Sequence, residues 1–165
     1  MDLVTVTCGR DKKIMGLQSH SIDKFIAKPC THWVLIEDNT MSIEEWQSYL
    51  QPHYTRHSLK LIKNFLPEED CVDTVVAQGW HRQQILKFMI ADYVGSDTYL
   101  VLDAKNFFIK ETDLDNWPIV DGNDQADDMH IEWQSWKDWI LENYDLQLPE
   151  TYWSPYTPFR FNTEI

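Results

Sequence analysis

Between Gly79 and Lys110 the chain reads GWHRQQILKFMIADYVGSDTYLVLDAKNFFIK, and its hydrophobic period changes partway along. Ile85, Leu86, Met89, Ile90 and Tyr93 recur at the three-to-four spacing of one helical face. Gly95-Ser96-Asp97 then interrupts the helix, with Gly95 able to take a left-handed cap without steric penalty. Thr98 to Leu102 follows as a compact run of β-formers and ends on Asp103. A strand that is apolar on both faces needs cover on both, which predicts a buried parallel sheet. An acid at the carboxyl end of such a strand stands where open α/β sheets build ligand sites.

The rest of the chain carries the same alternation. Leu3 to Thr7 (LVTVT) predicts a first buried strand, closed by the loop Cys8-Gly9-Arg10-Asp11. Ile14, Leu17, Ser21, Ile22 and Phe25 predict an amphipathic helix that stops before Lys28-Pro29. His32 to Ile36 predicts a second strand with Glu37-Asp38-Asn39 at its tip. Ser42 to Glu45 has the pattern of a capping box and opens a short helix with Trp46, Tyr49 and Leu50. Ser58 to Ile62 predicts a weaker third strand, and Lys63 to Asp73 a polar connection. Strand and helix in turn predict an α/β fold, a three-layer, mostly parallel sheet whose right-handed crossovers bring the strand tips to one edge.

Beyond Asn106 the pattern changes. Phe107 to Lys110 predicts a short extended piece, Thr112 to Trp117 a capped turn, and Pro118 to Asp121 another short strand. Gly122 to Asp128 is polar and predicts a loop. Trp133, Trp136, Trp139 and Ile140 lie at helical spacing, as expected of an amphipathic helix packed on the sheet. FRFNT near the end predicts a final strand. Residues 1–165 hold no repeat or Pro/Ser-rich linker, so one domain is expected.

Composition narrows the partners. A formal charge of −13 argues against nucleic acid, because neutralising phosphates needs clustered Lys and Arg. Cys8, Cys30 and Cys71 lack the paired spacing of a metal knuckle and are expected as reduced thiols. No apolar run approaches the ~20 residues of a transmembrane helix, and MDLVTVT is no signal peptide. The expectation is a soluble, cytoplasmic protein. The six histidines show no ligand spacing. GxSxG and P-loop motifs are absent, and no GxGxxG follows Gly9.

The tips supply the candidate chemistry. Asp103 could hold a divalent cation, for which hard oxygen ligands are suited, or could cap the next turn. Arg82, Gln83 and Lys87 lie within about a turn and a half of one helix. They could meet phosphate and sugar hydroxyls, or form a solvated face. Asp38 could accept ribose hydroxyls or make an Asx turn. Gly9 lets backbone approach a ligand closely.

With GWHRQQILKF, TYLVLDAKNFFI and TPFRFNT in hand, the chain resembles the GT-A-type glycosyltransferase superfamily. Within it, the resemblance is to a family of bacterial and phage glycosyltransferase-like proteins, in which a GW-x-RQQ-x-LK helix precedes a YL-x-LD strand. The resemblance implies a Rossmann-like sheet that binds a nucleotide sugar, a UDP- or GDP-type donor, Mn²⁺ or Mg²⁺, and a glycan or protein acceptor. It places Asp103 at the first acid of the Asp-x-Asp-type motif and as metal ligand. It matches Gln83, Gln84 and Lys87 to the helix motif, sets Thr7 and Arg10 in the loop bordering the nucleotide, and puts Asp38 near the base or ribose.

Two departures qualify what is implied. Asp103-Ala104-Lys105 carries lysine at the second acid, which weakens a cation site and could itself neutralise the diphosphate. The chain also stops soon after TPF, where such enzymes continue into the acceptor half, so a partner chain could supply it. No catalytic base is identified. The alternative function is a non-catalytic binding or interaction module, for instance a phage or virion component.

Overall fold

The computed structural model describes residues 1–64, 78–117 and 159–162. Among these, five strands form one sheet: β1 (Asp2–Thr7), β2 (Thr31–Ile36), β3 (Ser58–Lys63), β4 (Thr98–Asp103) and β5 (Phe159–Asn162). Their order is β3-β2-β1-β4-β5. The first four run parallel, and β5 joins β4 antiparallel. The α/β, mostly parallel sheet is therefore as expected. The chain winds outward from β1 through β2 to β3, then returns to set β4 on the other side. That reversal makes a topological switch between β1 and β4.

Alternation along each strand divides the core into two layers. Leu3, Val34, Ile36, Leu100 and Leu102 meet helices α1 (Lys12–Phe25) and α2 (Ile43–Leu50) through Met15, Ile22, Trp46 and Leu50. Val4, Val6, Trp33, Leu35, Tyr99 and Val101 meet α3 (Gln78–Met89) through Ile85, Leu86 and Phe88. Many of these side chains are wholly buried, each worth about 1.5–3 kcal/mol of transfer free energy. β3 is the more polar strand, with Ser58, Lys60 and Lys63 exposed.

Helix α2 starts as the sequence predicts. The Ser42 side chain accepts from the Glu45 backbone N–H at 3.1 Å, and the Glu45 carboxylate accepts from Ser42 N–H at 2.7 Å. The turn expected at Thr112 to Trp117 is a 3₁₀ turn, Leu114–Asn116, capped by Asp113.

Three expectations are corrected. The buried side of α1 is not the one that Ile14 and Leu17 mark, because these are 37% and 63% exposed. The sheet beneath α1 presents Thr5 and His32, whose polar atoms need partners. The helix accordingly turns Met15, Gln18, Ser19, Ser21 and Ile22 inward. Tyr93 is not part of the α3 face, being 47% exposed. Helix α3 gives way to a 3₁₀ turn, Ile90–Asp92, which rotates the chain before Tyr93 is reached. Gly95 is not a left-handed cap: its φ lies outside that region. The N–H groups of Tyr93 and Val94 close the end by bonding to Ile90 O. Phe107 to Lys110 forms no strand of its own, and Thr112 makes a single bridge to Ile26. The strand at Pro118, the loop at Gly122 and the tryptophan helix lie outside the described residues, as does Cys71. Cys8 and Cys30 are free.

Candidate functional site

The β1, β2 and β4 tips meet at the carboxyl edge of the sheet. Register pairs Val6 with Asp103 and Thr7 with Ile36, so the three loops leave side by side. The backbone N–H of Glu37 donates to Thr7 O at 2.8 Å, which ties the first two tips together.

Helix α3 brings a row of polar side chains to this edge. Gln83 and Lys87 are four residues apart and share a face. The Gln83 amide donates to the Glu37 carboxylate at 2.9 Å. The Lys87 ammonium donates to Asp103 Oδ1 at 3.0 Å. The Lys87 side chain is only 4% exposed, against 34% for Asp103, so the pair is closed on the helix side and open on the solvent side. Gln84 is half-buried and sits about 100° further round the helix, off this row.

On the neighbouring tip the Asp38 carboxylate accepts the Gly9 N–H with both oxygens, at 3.1 and 3.0 Å. It also accepts the Thr40 hydroxyl at 2.9 Å. A glycine is required opposite it. A Cβ at Gly9 would lie 1.8 Å from Thr40 Oγ1 and 2.9 Å from Thr40 Cβ. Asp38 is therefore engaged as a clamp between the β1 and β2 loops.

Glu37, beside Asp38 on the β2 tip, is a further half-buried acid of this edge. Burial pushes its pKa above the ordinary carboxylate range. The Gln83 hydrogen bond and the positive charges of Arg82 and Arg10 pull the other way, while Asp38 raises it. No local spacing marks this role, because the partner Gln83 stands 46 positions away and meets Glu37 only through the packing of α3.

The remaining predicted residues fall as follows. Thr7 is the last residue of β1, not part of the loop, and its fully buried hydroxyl has no hydrogen-bond partner among the described residues. Arg10 is exposed in the 3₁₀ turn Gly9–Asp11. Lys105 is exposed on the turn after β4. That turn closes on itself, since Asn106 N–H donates to Asp103 O at 2.9 Å and Asp103 N–H to Asn106 Oδ1 at 2.6 Å.

The donor set is a poor seat for a divalent cation. Asp103 already receives an ammonium, Lys105 adds a positive charge two residues on, and like charges raise the cost of bringing in a cation. Among the described residues no group of three or more His, Cys, Asp or Glu converges as metal ligands. No described helix is long and apolar enough to cross a membrane.

No curated protein matches the chain. Among solved structures it is similar to the glycosyltransferase GlyE of Streptococcus pneumoniae TIGR4, at 18% identity and a TM-score of 0.49. The alignment covers 73% of this chain and 28% of that one. The apo form of GlyE aligns at 17% identity with a TM-score of 0.48, over 73% and 27% of the two chains. An active-site mutant of LgtC aligns at 14% identity with a TM-score of 0.45, over 63% and 37%. The chain thus spans well under half the length of each of these proteins. The profile of a family of unknown function, DUF6492, matches residues 9–162, which take in every tip loop described above. The chain belongs to the DUF6492 family.

Proposed function

We propose that the carboxyl edge between β1 and β4 binds the diphosphate of a nucleotide sugar, and that the protein serves transfer of that sugar to a glycan or protein acceptor. The observation that carries this reading is the gathering of Arg10, the Glu37–Gln83 pair, the Lys87–Asp103 pair and Lys105 at a topological switch. Open α/β sheets bind their ligands at such a switch point, outside the carboxyl ends of the strands. Arg10 and Lys105, exposed on the two flanking loops, are the cations available to phosphate oxygens. Charge on the departing diphosphate is what a transferase must stabilise, and fixed cations do so without a metal. The resemblance of the α3–β4 motif to glycosyltransferase-like sequences supports the same reading.

Mn²⁺ or Mg²⁺ held by protein ligands alone has little support at Asp103, and no step is assigned to one. Asp38 shapes the rim. Hydrogen bonding to ribose or base falls to Glu37, one of whose oxygens is already oriented by Gln83. A second reading, a module that holds a nucleotide sugar without transferring it, is favoured by one observation: Lys87 engages the Asp103 carboxylate, which is then no free base.

Calorimetric titration with UDP, GDP and their common sugar conjugates, with and without Mn²⁺, tests the proposal. Binding should persist without metal and weaken roughly tenfold in Arg10→Ala and in Lys105→Ala, as expected for loss of one charge-assisted contact. Absence of binding up to about millimolar ligand, where affinity is only some 4 kcal/mol, overturns it. Binding without turnover against a panel of acceptors supports the second reading.

A further inference from the structure

Beneath the tip loops a chain of buried polar side chains crosses the sheet. Ser19 Oγ and Tyr54 Oη lie 2.9 Å apart. Tyr54 Oη bonds to His32 Nδ1, and His32 Nε2 lies 2.9 Å from Thr5 Oγ1. The Thr5 hydroxyl donates to Gln18 Oε1 at 3.0 Å. The Gln18 amide nitrogen then donates to Asp103 O at 2.7 Å and to Asn106 O at 3.0 Å. Thr5, Gln18, Ser19 and His32 are each 0% exposed.

Counting protons gives this chain one direction. Two carbonyl oxygens can only accept, so the end of Gln18 facing them is its NH₂ group, and Oε1 needs a donor. Thr5 has one hydroxyl proton and uses it there. It must then accept from His32 Nε2–H. A neutral His32 carries no proton on Nδ1, so Tyr54 donates to that nitrogen and Ser19 donates to Tyr54. Every buried polar atom in the series is satisfied in this arrangement and in no reversed one that keeps the imidazole neutral.

We infer that Gln18 is a positioning residue that locks the Asp103–Asn106 turn from below, and that the Ser19–Tyr54–His32–Thr5 series holds its amide in the required orientation. The turn carries Asp103 and Lys105, so the consequence for ligand binding rests on the proposed donor site. The lock itself does not. An unheld turn would let Lys105 move with its loop, whereas two hydrogen bonds from a buried amide hold both carbonyls of the turn.

The test is nuclear magnetic resonance on the whole chain. In the wild type the His32 ring must be protonated at Nε2 and unprotonated at Nδ1. A ring protonated at Nδ1, or at both nitrogens, overturns the directional chain. Thr5→Val removes the acceptor for Nε2–H and should shift the ring to the Nδ1–H form, with Tyr54 turning to donate to Ser19. A mere packing role for Thr5 would leave the tautomer unchanged. Gln18→Met should raise amide exchange at Asn106 roughly thirtyfold, the loss expected for two net hydrogen bonds, with α2 amides unaffected. Unchanged exchange at Asn106 overturns the lock. UDP binding is then measured on the same Gln18→Met protein. Weakened binding supports the positioning role, and unchanged binding beside a loosened turn overturns that role while leaving the lock. Failure of the wild type to bind UDP or GDP would instead count against the donor site, with the tautomer and exchange results still deciding the lock.

Discussion

Lys87 and Asp103 differ in how much water each retains, and that asymmetry decides what each contributes. The lysine side chain is 4% exposed and the aspartate 34%. Asp103→Ala strands a buried ammonium and should cost about 3 kcal/mol or more in urea unfolding. Lys87→Met removes the ammonium from a carboxylate that solvent still reaches, and should cost clearly less. Equal costs would show that the pair is not buried as described. Glu37 offers a second residue-scale reading. Its carboxyl is held above the ordinary range by burial, and the Gln83 hydrogen bond opposes this by favouring the charged form. Gln83→Met should therefore raise the Glu37 midpoint further in a ¹³C titration. A fall would mean that Gln83 donates elsewhere.

Between elements, the clamp joining the β1 and β2 loops depends on an absent side chain. A Cβ on Gly9 meets both Thr40 Oγ1 and Thr40 Cβ. Rotating the threonine relieves only the first clash, so the loop must shift and the Asp38–Gly9 hydrogen bonds with it. Gly9→Ala should cost about 1–3 kcal/mol, the range for overpacking, and should free the Asp38 carboxylate. Gly9 was legible in the sequence as a point of close approach, but the approaching group is Thr40 of the next loop. The helices teach the same lesson. The capping box of α2 was legible because its partners are three residues apart. The buried side of α1 was not, since apolar spacing marks Ile14 and Leu17 while the polar atoms of Thr5 and His32 turn Gln18 and Ser19 inward. A rule that counts apolar residues has no way to register a buried polar network on the opposing sheet.

For the molecule as a whole, the buried imidazole of His32 links stability to pH. Its ordinary pKa of 6.5 is pushed down to about 3, chiefly by burial and further by the nearby His57. Above pH 6.5 neither the folded nor the unfolded ring carries the proton, and stability has its full value. As pH falls from 6.5 toward 3 the unfolded chain gains a proton that the native chain refuses. Stability then drops by about 1.4 kcal/mol per pH unit. His57, also pushed down by burial, acts in the same direction. Urea unfolding at pH 7 and pH 5 should show a loss about 2 kcal/mol larger in the wild type than in His32→Gln. Equal losses would mean that the ring takes up a proton in the folded state.

Sequence alone settled the alternation of strands and helices, the parallel pairing of the first four strands and the shared edge of their tips. These follow from local periodicity and from chirality, which a chain carries in its own order. Only the tertiary structure decided what the tip residues do. Lys87 and Asp103 stand 16 positions apart and Gln83 and Glu37 stand 46 apart; each pair meets because α3 lies across the far face of the sheet. Gln18 reaches a turn 85 residues away through the opposite face. Desolvation in that packed interior turns a lysine that reads as free to bind phosphate into half of an ion pair, and makes a helix-face glutamine the support of the turn beside it.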